Sequence, residues 1–272
     1  MALVANDVHH IFSGGEPDEA RALDGVSIRM EEGEFIILAG RSGSGKSTLL
    51  RCLSGMLKPS KGGVSIDAMD AVKARKLVGL AVQSPERALF EKTLYDDIAF
   101  GPVNRGYGED EVRRAVMDTI EIVGLDETLL KGSPRALSQG QKRLAALAGI
   151  IALGPKYLFL DEPMSGLDAG GRRRIMETLI RLNKGGTTIV AATHSVAHFM
   201  GISSRLIVLD SGKVRFDGRP EGLLALEDPS GLALPPSLVW AIKLRKRGIE
   251  VEWDAGPEKM AELLWRAHES FV

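Results

Sequence analysis

Gly40-Arg41-Ser42-Gly43-Ser44-Gly45-Lys46-Ser47 is the stretch that decides the fold. It follows a short apolar run, Glu34-Phe35-Ile36-Ile37-Leu38-Ala39, which reads as a buried strand. The segment from Lys46 to Met56 comes next and reads as a helix with Leu49, Leu50 and Leu53 on one face. Strand, glycine-rich loop and helix in that order make a cradle for phosphate. Glycines at 40, 43 and 45 let the backbone bend tightly and bring its N–H groups to phosphate oxygens, at the positive end of the helix dipole. In this reading Lys46 reaches the β- and γ-phosphates as a point charge, and the Ser47 hydroxyl ligates Mg²⁺.

Further along, Tyr157-Leu158-Phe159-Leu160-Asp161-Glu162 is an apolar strand ending in two acids, so the carboxylates emerge at its C-terminal end beside the phosphate loop. Position assigns their roles. Asp161 holds Mg²⁺, and Glu162 accepts a proton from the water that attacks the γ-phosphate.

The remaining chain supports an α/β core. Strands are expected at residues 62–67, 77–82, 187–192 and 205–209, and a turn-rich Ser13-Gly14-Gly15-Glu16-Pro17 suggests an N-terminal hairpin. A helical zone over about 93–153 carries Val112, Val116, Ile120 and Val123 at helical spacing. Apolar strands alternating with helices predict a parallel sheet covered on both faces. After about residue 222 the pattern changes. Pro235-Pro236 opens a helix through Arg247, Gly248 makes a turn, and Pro257 starts a last helix to about His268. There is no internal repeat and no low-complexity tract.

Composition excludes some partners. Thirty-five basic against 36 acidic residues leave a net charge of −1, so no global field draws the chain to nucleic acid. No signal peptide is expected ahead of the first strand, and the longest apolar run, Leu144 to Leu153, is too short to span a bilayer. Any membrane role is therefore expected to come through a partner. The single cysteine, Cys52, falls on the helix after the phosphate loop and reads as a small buried residue.

Between the phosphate loop and the acidic strand lies Leu137-Ser138-Gln139-Gly140-Gln141, at the start of a helix. Together with both motifs and a histidine after the next strand, it resembles the signature of the ATP-binding cassette (ABC) family, over most of residues 3–220. The resemblance implies an ABC-type P-loop core with an N-terminal antiparallel β subdomain, an inserted helical signature subdomain and a small C-terminal α extension. It divides the chain into a nucleotide-binding domain, 1–222, and a dimerisation extension, 223–272.

It also implies roles. Phe12 stacks on adenine. Gly40, Arg41, Ser42, Gly43, Ser44, Gly45, Lys46, Ser47 and Thr48 hold the phosphates. Gln83 senses Mg²⁺ and the attacking water, and His194 contacts the γ-phosphate. Ser138, Gln139, Gly140 and Gln141 close the ATP site of a second subunit packed head to tail, and Asp168 belongs to a loop at that interface. In this sequence Gln139 replaces the family's more usual glycine, Ser195 stands where aspartate is common, and Met164 where threonine is common.

The stretch Pro85-Glu86-Arg87-Ala88-Leu89-Phe90, followed by Thr93 to Pro102, is similar to the corresponding part of energy-coupling factor and cobalt-type transporter ATPases. That similarity implies a second ATPase, identical or homologous, and a transmembrane coupling protein docking near residues 83–100. It also implies a substrate-binding membrane protein that captures a vitamin or metal ion, and a tail that helps hold the ATPases together at the cytoplasmic face of the membrane. Leu89, Phe90, Leu94, Tyr95, Ile98 and Phe100 are expected to form the docking groove. A conventional ABC importer is the alternative. A soluble ABC ATPase acting on nucleic acid or ribosomes is disfavoured, because no heptad run separates Lys46 from Ser138 and the charge is near zero.

Overall fold

The computed structural model describes residues 2–12, 20–225 and 236–249, together with 251, 258, 261, 262 and 265. Along the chain run β1 (Ala2–Phe12), β2 (Ala20–Glu31), β3 (Phe35–Ala39), α1 (Lys46–Leu53), β4 (Lys61–Ile66), β5 (Met69–Asp70) and β6 (Val78–Ala81). Then come α2 (Leu94–Asn104), α3 (Glu109–Val123), α4 (Gln139–Ile151), β7 (Tyr157–Asp161), α5 (Ala169–Lys184), β8 (Thr188–Thr193), β9 (Arg205–Asp210), β10 (Lys213–Gly218) and α6 (Pro236–Arg245).

Two sheets result. An antiparallel one has the order β2-β1-β4-β5, and a larger one has the order β10-β9-β3-β8-β7-β6. In the larger sheet β9, β3, β8, β7 and β6 run parallel, and β10 pairs antiparallel with β9 at the edge. The parallel strands are apolar throughout because both faces are covered. Alternation then sorts their side chains. Phe35, Ile37, Leu158, Leu160 and Ile189 join the cluster under the helical zone. Ile36, Leu38, Tyr157, Phe159 and Val190 join the cluster shared with the antiparallel sheet. Helix α1 packs on both sheets through buried Leu49, Leu50, Cys52 and Leu53.

Several expectations shift. The helix read through Met56 ends at Leu53, where Gly55 takes φ +70 and its missing side chain clears the Ala71 carbonyl. Met56 is exposed. The hairpin is present as β1 and β2, paired from Ala2↔Glu31 to Phe12↔Ala20, while its turn at 13–17 lies outside the described residues. The helical zone is three helices, with Val112, Val116, Ile120 and Val123 forming the buried stripe of α3.

The tail helix stops at Arg245, two residues early, and Gly248 turns with φ +80. Of the last helix, Glu258, Ala261, Glu262 and Trp265 are helical, and its remaining residues lie outside the described ones. Ala241, Ile242 and Leu244 of α6 are buried in the same cluster as Phe35, Phe199 and Leu223. Among the described residues no helix is long and apolar enough to cross a membrane.

Candidate functional site

Parallel register brings the site together. Ala39 pairs with Thr193, Asp161 with Ala192 and Ala81 with Leu160, so the segments after β3, β8, β7 and β6 all leave the same edge of the sheet. Carboxyl ends of parallel strands are where α/β sheets bind ligands. Here they surround a cleft of about 360 Å³, lined by Ser42, Gly43, Gly45, Lys46, Ser47, Thr48, Gln83, Asp161, Glu162 and His194 from the sequence-derived set. Ala22 of β2 and Ser165 complete the lining.

The loop has the shape that its glycines permit. Gly45 takes φ +103 as the N-cap of α1, and a Cβ there would run into the Ala22 carbonyl. A Cβ on Gly40 would strike the Leu209 carbonyl. The loop is also braced from the far end of the chain, because Gly212 N–H donates to the Ser44 carbonyl at 3.0 Å. Lys46 Nζ donates to the carbonyls of Gly40 at 2.8 Å and Arg41 at 3.0 Å. Burial pushes the Lys46 ammonium below its ordinary range, and the nearby Glu162 and Asp161 charges oppose that shift. An oriented cation, a helix N-terminus and a loop with no room for a side chain at positions 40 and 45 fit a polyphosphate.

Glu162 is held more tightly than Asp161. Its backbone takes φ +49, an uncommon conformation for a side chain of this size, and its N–H donates to the Ala192 carbonyl at 2.8 Å. Oε2 accepts from the Thr193 hydroxyl at 3.1 Å, and Oε1 accepts from the His194 backbone N–H at 3.0 Å. His194 Nδ1 lies 2.8 Å from Oε1. With the carboxylate ionised, that contact requires the proton on Nδ1, which leaves Nε2 of a neutral ring as an acceptor. Thr193 was not among the sequence-derived candidates. Its signal was a hydroxyl at the end of the apolar strand Thr188–Thr193.

The signature residues do not line this cleft. Ser138 caps α4 by accepting from Gln141 N–H at 3.3 Å, and Gln141 Oε1 accepts from Ser138 N–H at 2.9 Å, which is a reciprocal capping box. Gln139 and Gly140 form the first turn of α4. No positive φ is needed at 139, so glutamine replaces glycine without strain, and its Nε2 donates to Glu86 Oε1 at 2.9 Å. Gln139 instead lines a second cleft of about 540 Å³ with Gln83, Glu86, Arg143 and Ser165.

Asp168 caps α5 by accepting from Gly171 N–H at 2.7 Å. Phe12, at the end of β1, is 43% exposed and meets the His10 ring edge-on at 4.6 Å, away from the cleft lining. Cys52 is buried and its thiol is pushed up to about 11 by desolvation.

The expected docking groove is narrower than its sequence suggested. Leu94 and Ile98 are buried and Tyr95 packs against the core because α2 turns that face inward, and Leu89, ahead of the helix, packs against the same core. Phe90 and Phe100 remain exposed and meet edge to face at 4.9 Å, with Val103 and Tyr107 exposed on the same segment.

Comparison with known proteins agrees with this geometry. The family model described as ABC transporter matches residues 23–165. The energy-coupling factor transporter ATP-binding protein EcfA2 of Symbiobacterium thermophilum is 40% identical over 268 residues, covering 95% of this chain and 92% of the relative. EcfA2 of Clostridioides difficile is 40% identical over 268 residues, covering 93% of each. CbiO1 from Clostridium perfringens, described as part of the ABC transporter complex CbiONQ, superposes with a TM-score of 0.74 at 31% identity, over 90% of this chain and 96% of that one. The ATP-binding cassette MJ0796, solved as a dimer bound to ADP and Pi, gives a TM-score of 0.72 at 28% identity, over 80% of this chain and 98% of that one. With the family model covering more than half of its length and relatives at this identity spanning nearly all of it, the chain belongs to the ABC transporter family.

Proposed function

We propose that this chain is the ATP-binding and ATP-hydrolysing subunit of an energy-coupling factor transporter that imports a vitamin or metal ion. The observation that carries the chemistry is the convergence of Lys46, Ser47, Gln83, Asp161, Glu162 and His194 on one cleft at the carboxyl edge of the sheet. The identity to EcfA2 proteins over almost the whole chain supports the transporter type.

Hydrolysis proceeds by in-line attack of water on the γ-phosphate. Glu162 takes the proton of that water, its carboxylate aimed by Thr193 and His194. Lys46 exchanges its two carbonyl contacts for the β- and γ-phosphate oxygens. His194 turns toward the γ-phosphate, and Phe12 offers its exposed ring to the adenine. Ser47, Asp161 and Gln83 would hold Mg²⁺. Their hydroxyl, carboxylate and amide oxygens suit a hard cation. When bound, Mg²⁺ neutralises charge building on the phosphate oxygens.

Ser138, Gln139, Gly140 and Gln141 sit away from the chain's own phosphate loop, on a capped helix N-terminus suited to phosphate. They complete the ATP site of a second ATPase packed head to tail, with Asp168 at the interface. Phe90 and Phe100 provide the exposed apolar anchor for a transmembrane coupling protein near residues 83–100, which attaches the chain to the cytoplasmic face of the membrane. The extension over 223–272 strengthens the pairing of ATPases.

The test is Mg²⁺-dependent phosphate release by the purified chain, alone and with a coupling protein and partner ATPase in vesicles. Turnover that rises on reconstitution is expected. No turnover in either setting would overturn the reading.

A further inference from the structure

Among the described residues Arg143 is the most deeply buried charge, and the proposed hydrolysis gives it no role. It sits on α4, 5% exposed, on a helix whose neighbouring residues Leu144, Ala145, Leu147 and Ala148 are apolar core. A buried guanidinium is costly unless its donors and charge are answered. Nη1 donates to the Gln83 carbonyl at 2.7 Å, and Nη2 donates to the Ser165 carbonyl at 2.9 Å. Nε faces Glu86 Oε2 at 3.4 Å, an ion pair in which neither atom makes a hydrogen bond. Glu86 in turn accepts from Gln139, the first residue of α4.

Both carbonyls belong to residues that line the phosphate cleft. We propose that Arg143 is a positioning residue for ATP hydrolysis, its planar fork fixing the backbone of Gln83 and Ser165 from behind the cleft, with Glu86 as countercharge and Gln139 as a second strut. This rests on the hydrolytic reading above. The two loops leave different strands, β6 and β7, and in this corner one side chain ties both of them to the helix that the signature opens. A shift of α4 therefore moves Gln83 and Ser165 together. Lysine carries all its donors on one nitrogen, so it cannot reproduce the separation of Nη1 and Nη2 that lets one side chain reach two different loops.

The test is a double-mutant cycle on the full-length chain. Arg143→Lys should lower kcat about 10- to 100-fold, as a small misplacement of a catalytic group does, while KM for ATP stays within about twofold. In a Gln83→Ala background the same substitution should cost at least about threefold less in kcat, because one of the two groups it positions is already gone. An equal loss in both backgrounds would mean that Arg143 only supports the fold. Hydrogen exchange provides a second readout. Arg143→Lys should speed amide exchange at residues 83–86 and 165–166 and leave β3 and β8 unchanged, and unaltered exchange in those loops overturns the proposal. Should Arg143→Lys fail to fold, Glu86→Gln keeps the guanidinium and removes its countercharge. It should lower kcat about threefold to tenfold, again by less when Gln83 is replaced. Exchange needs no turnover, so a chain that does not hydrolyse ATP refutes the hydrolytic reading, while exchange still decides whether Arg143 holds the loops.

Discussion

His194 approaches Glu162 twice, through its backbone N–H at 3.0 Å and through Nδ1 at 2.8 Å, and both contacts end on the same oxygen, Oε1. One residue thereby fixes the direction of the carboxylate and carries a ring that can swing away while the backbone contact persists. The other oxygen is tied to the Thr193 hydroxyl. A carboxylate so restrained has few orientations to lose when a ligand arrives.

Glu162→Gln tests the proposed role of Glu162 as the base. The amide retains the size of the carboxyl but accepts no proton, so kcat should fall about 10²- to 10⁴-fold while ATP affinity is retained. Single-turnover phosphate release and nucleotide titration separate the two. Turnover near the parent level would show that another group takes the proton.

Lys46→Ala should nearly abolish nucleotide binding. The ammonium is oriented at the mouth of the loop by two carbonyls, and each charge-assisted hydrogen bond it transfers to phosphate is worth about 1.5–3 kcal/mol. Titration calorimetry should give an ATP Kd at least about 100-fold weaker. An unchanged Kd would remove the phosphate-cradle assignment.

The thiol of Cys52 should be inert in the folded protein. Its pKa stands at about 11 against an ordinary 9.0, so at pH 8 almost none is thiolate and an alkylating reagent should label it only after denaturant is added. The sign of the linkage follows from the raised value. Below about pH 9 the group is protonated in both states, and between pH 9 and 11 only the unfolded chain releases the proton, so this contribution to stability is lost as pH rises through that window. Rapid labelling at pH 8 without denaturant would contradict the burial.

Two neighbours in α6 separate folding from assembly. Ile242 is 4% exposed, and Ile242→Ala should cost about 2–5 kcal/mol in denaturant unfolding. Trp240 is 43% exposed with Lys243 Nζ 4.9 Å above its ring, and Trp240→Ser should change stability by less than about 0.5 kcal/mol. The same Trp240→Ser substitution should weaken association of the chain with a second ATPase, read by sedimentation without nucleotide. Equal association would leave α6 as a cap on its own core.

The phosphate loop, the acidic strand end and the histidine were legible in the sequence because each is a local pattern whose neighbours dictate its shape. The strand before the loop and the apolar stripe of α3 were legible for the same reason. What sequence did not disclose was long-range. Ala22 enters the cleft through its place on β2, and Arg143 acquires its partners only when the loops after β6 and β7 meet α4. The six apolar residues between Leu89 and Phe100 illustrate a related limit. Their spacing announced a hydrophobic segment, yet only the packing of α2 and of the turn before it determined that two of them, Phe90 and Phe100, stay exposed. Likewise the helix end at Leu53 depends on Gly55 meeting the Ala71 carbonyl, a contact with a segment beyond the helix.

The brace from Gly212 to Ser44, with the Leu209 carbonyl closing over Gly40, joins the phosphate loop to a turn synthesised long after it. During translation the loop emerges early but lacks that support until the chain has grown past β9, so competence to hold nucleotide arrives late in synthesis. ATP is thus a ligand for the finished domain rather than a template for the growing one. A ribosome-bound chain halted before residue 205 should not retain nucleotide, whereas one halted after the domain has cleared the exit tunnel should.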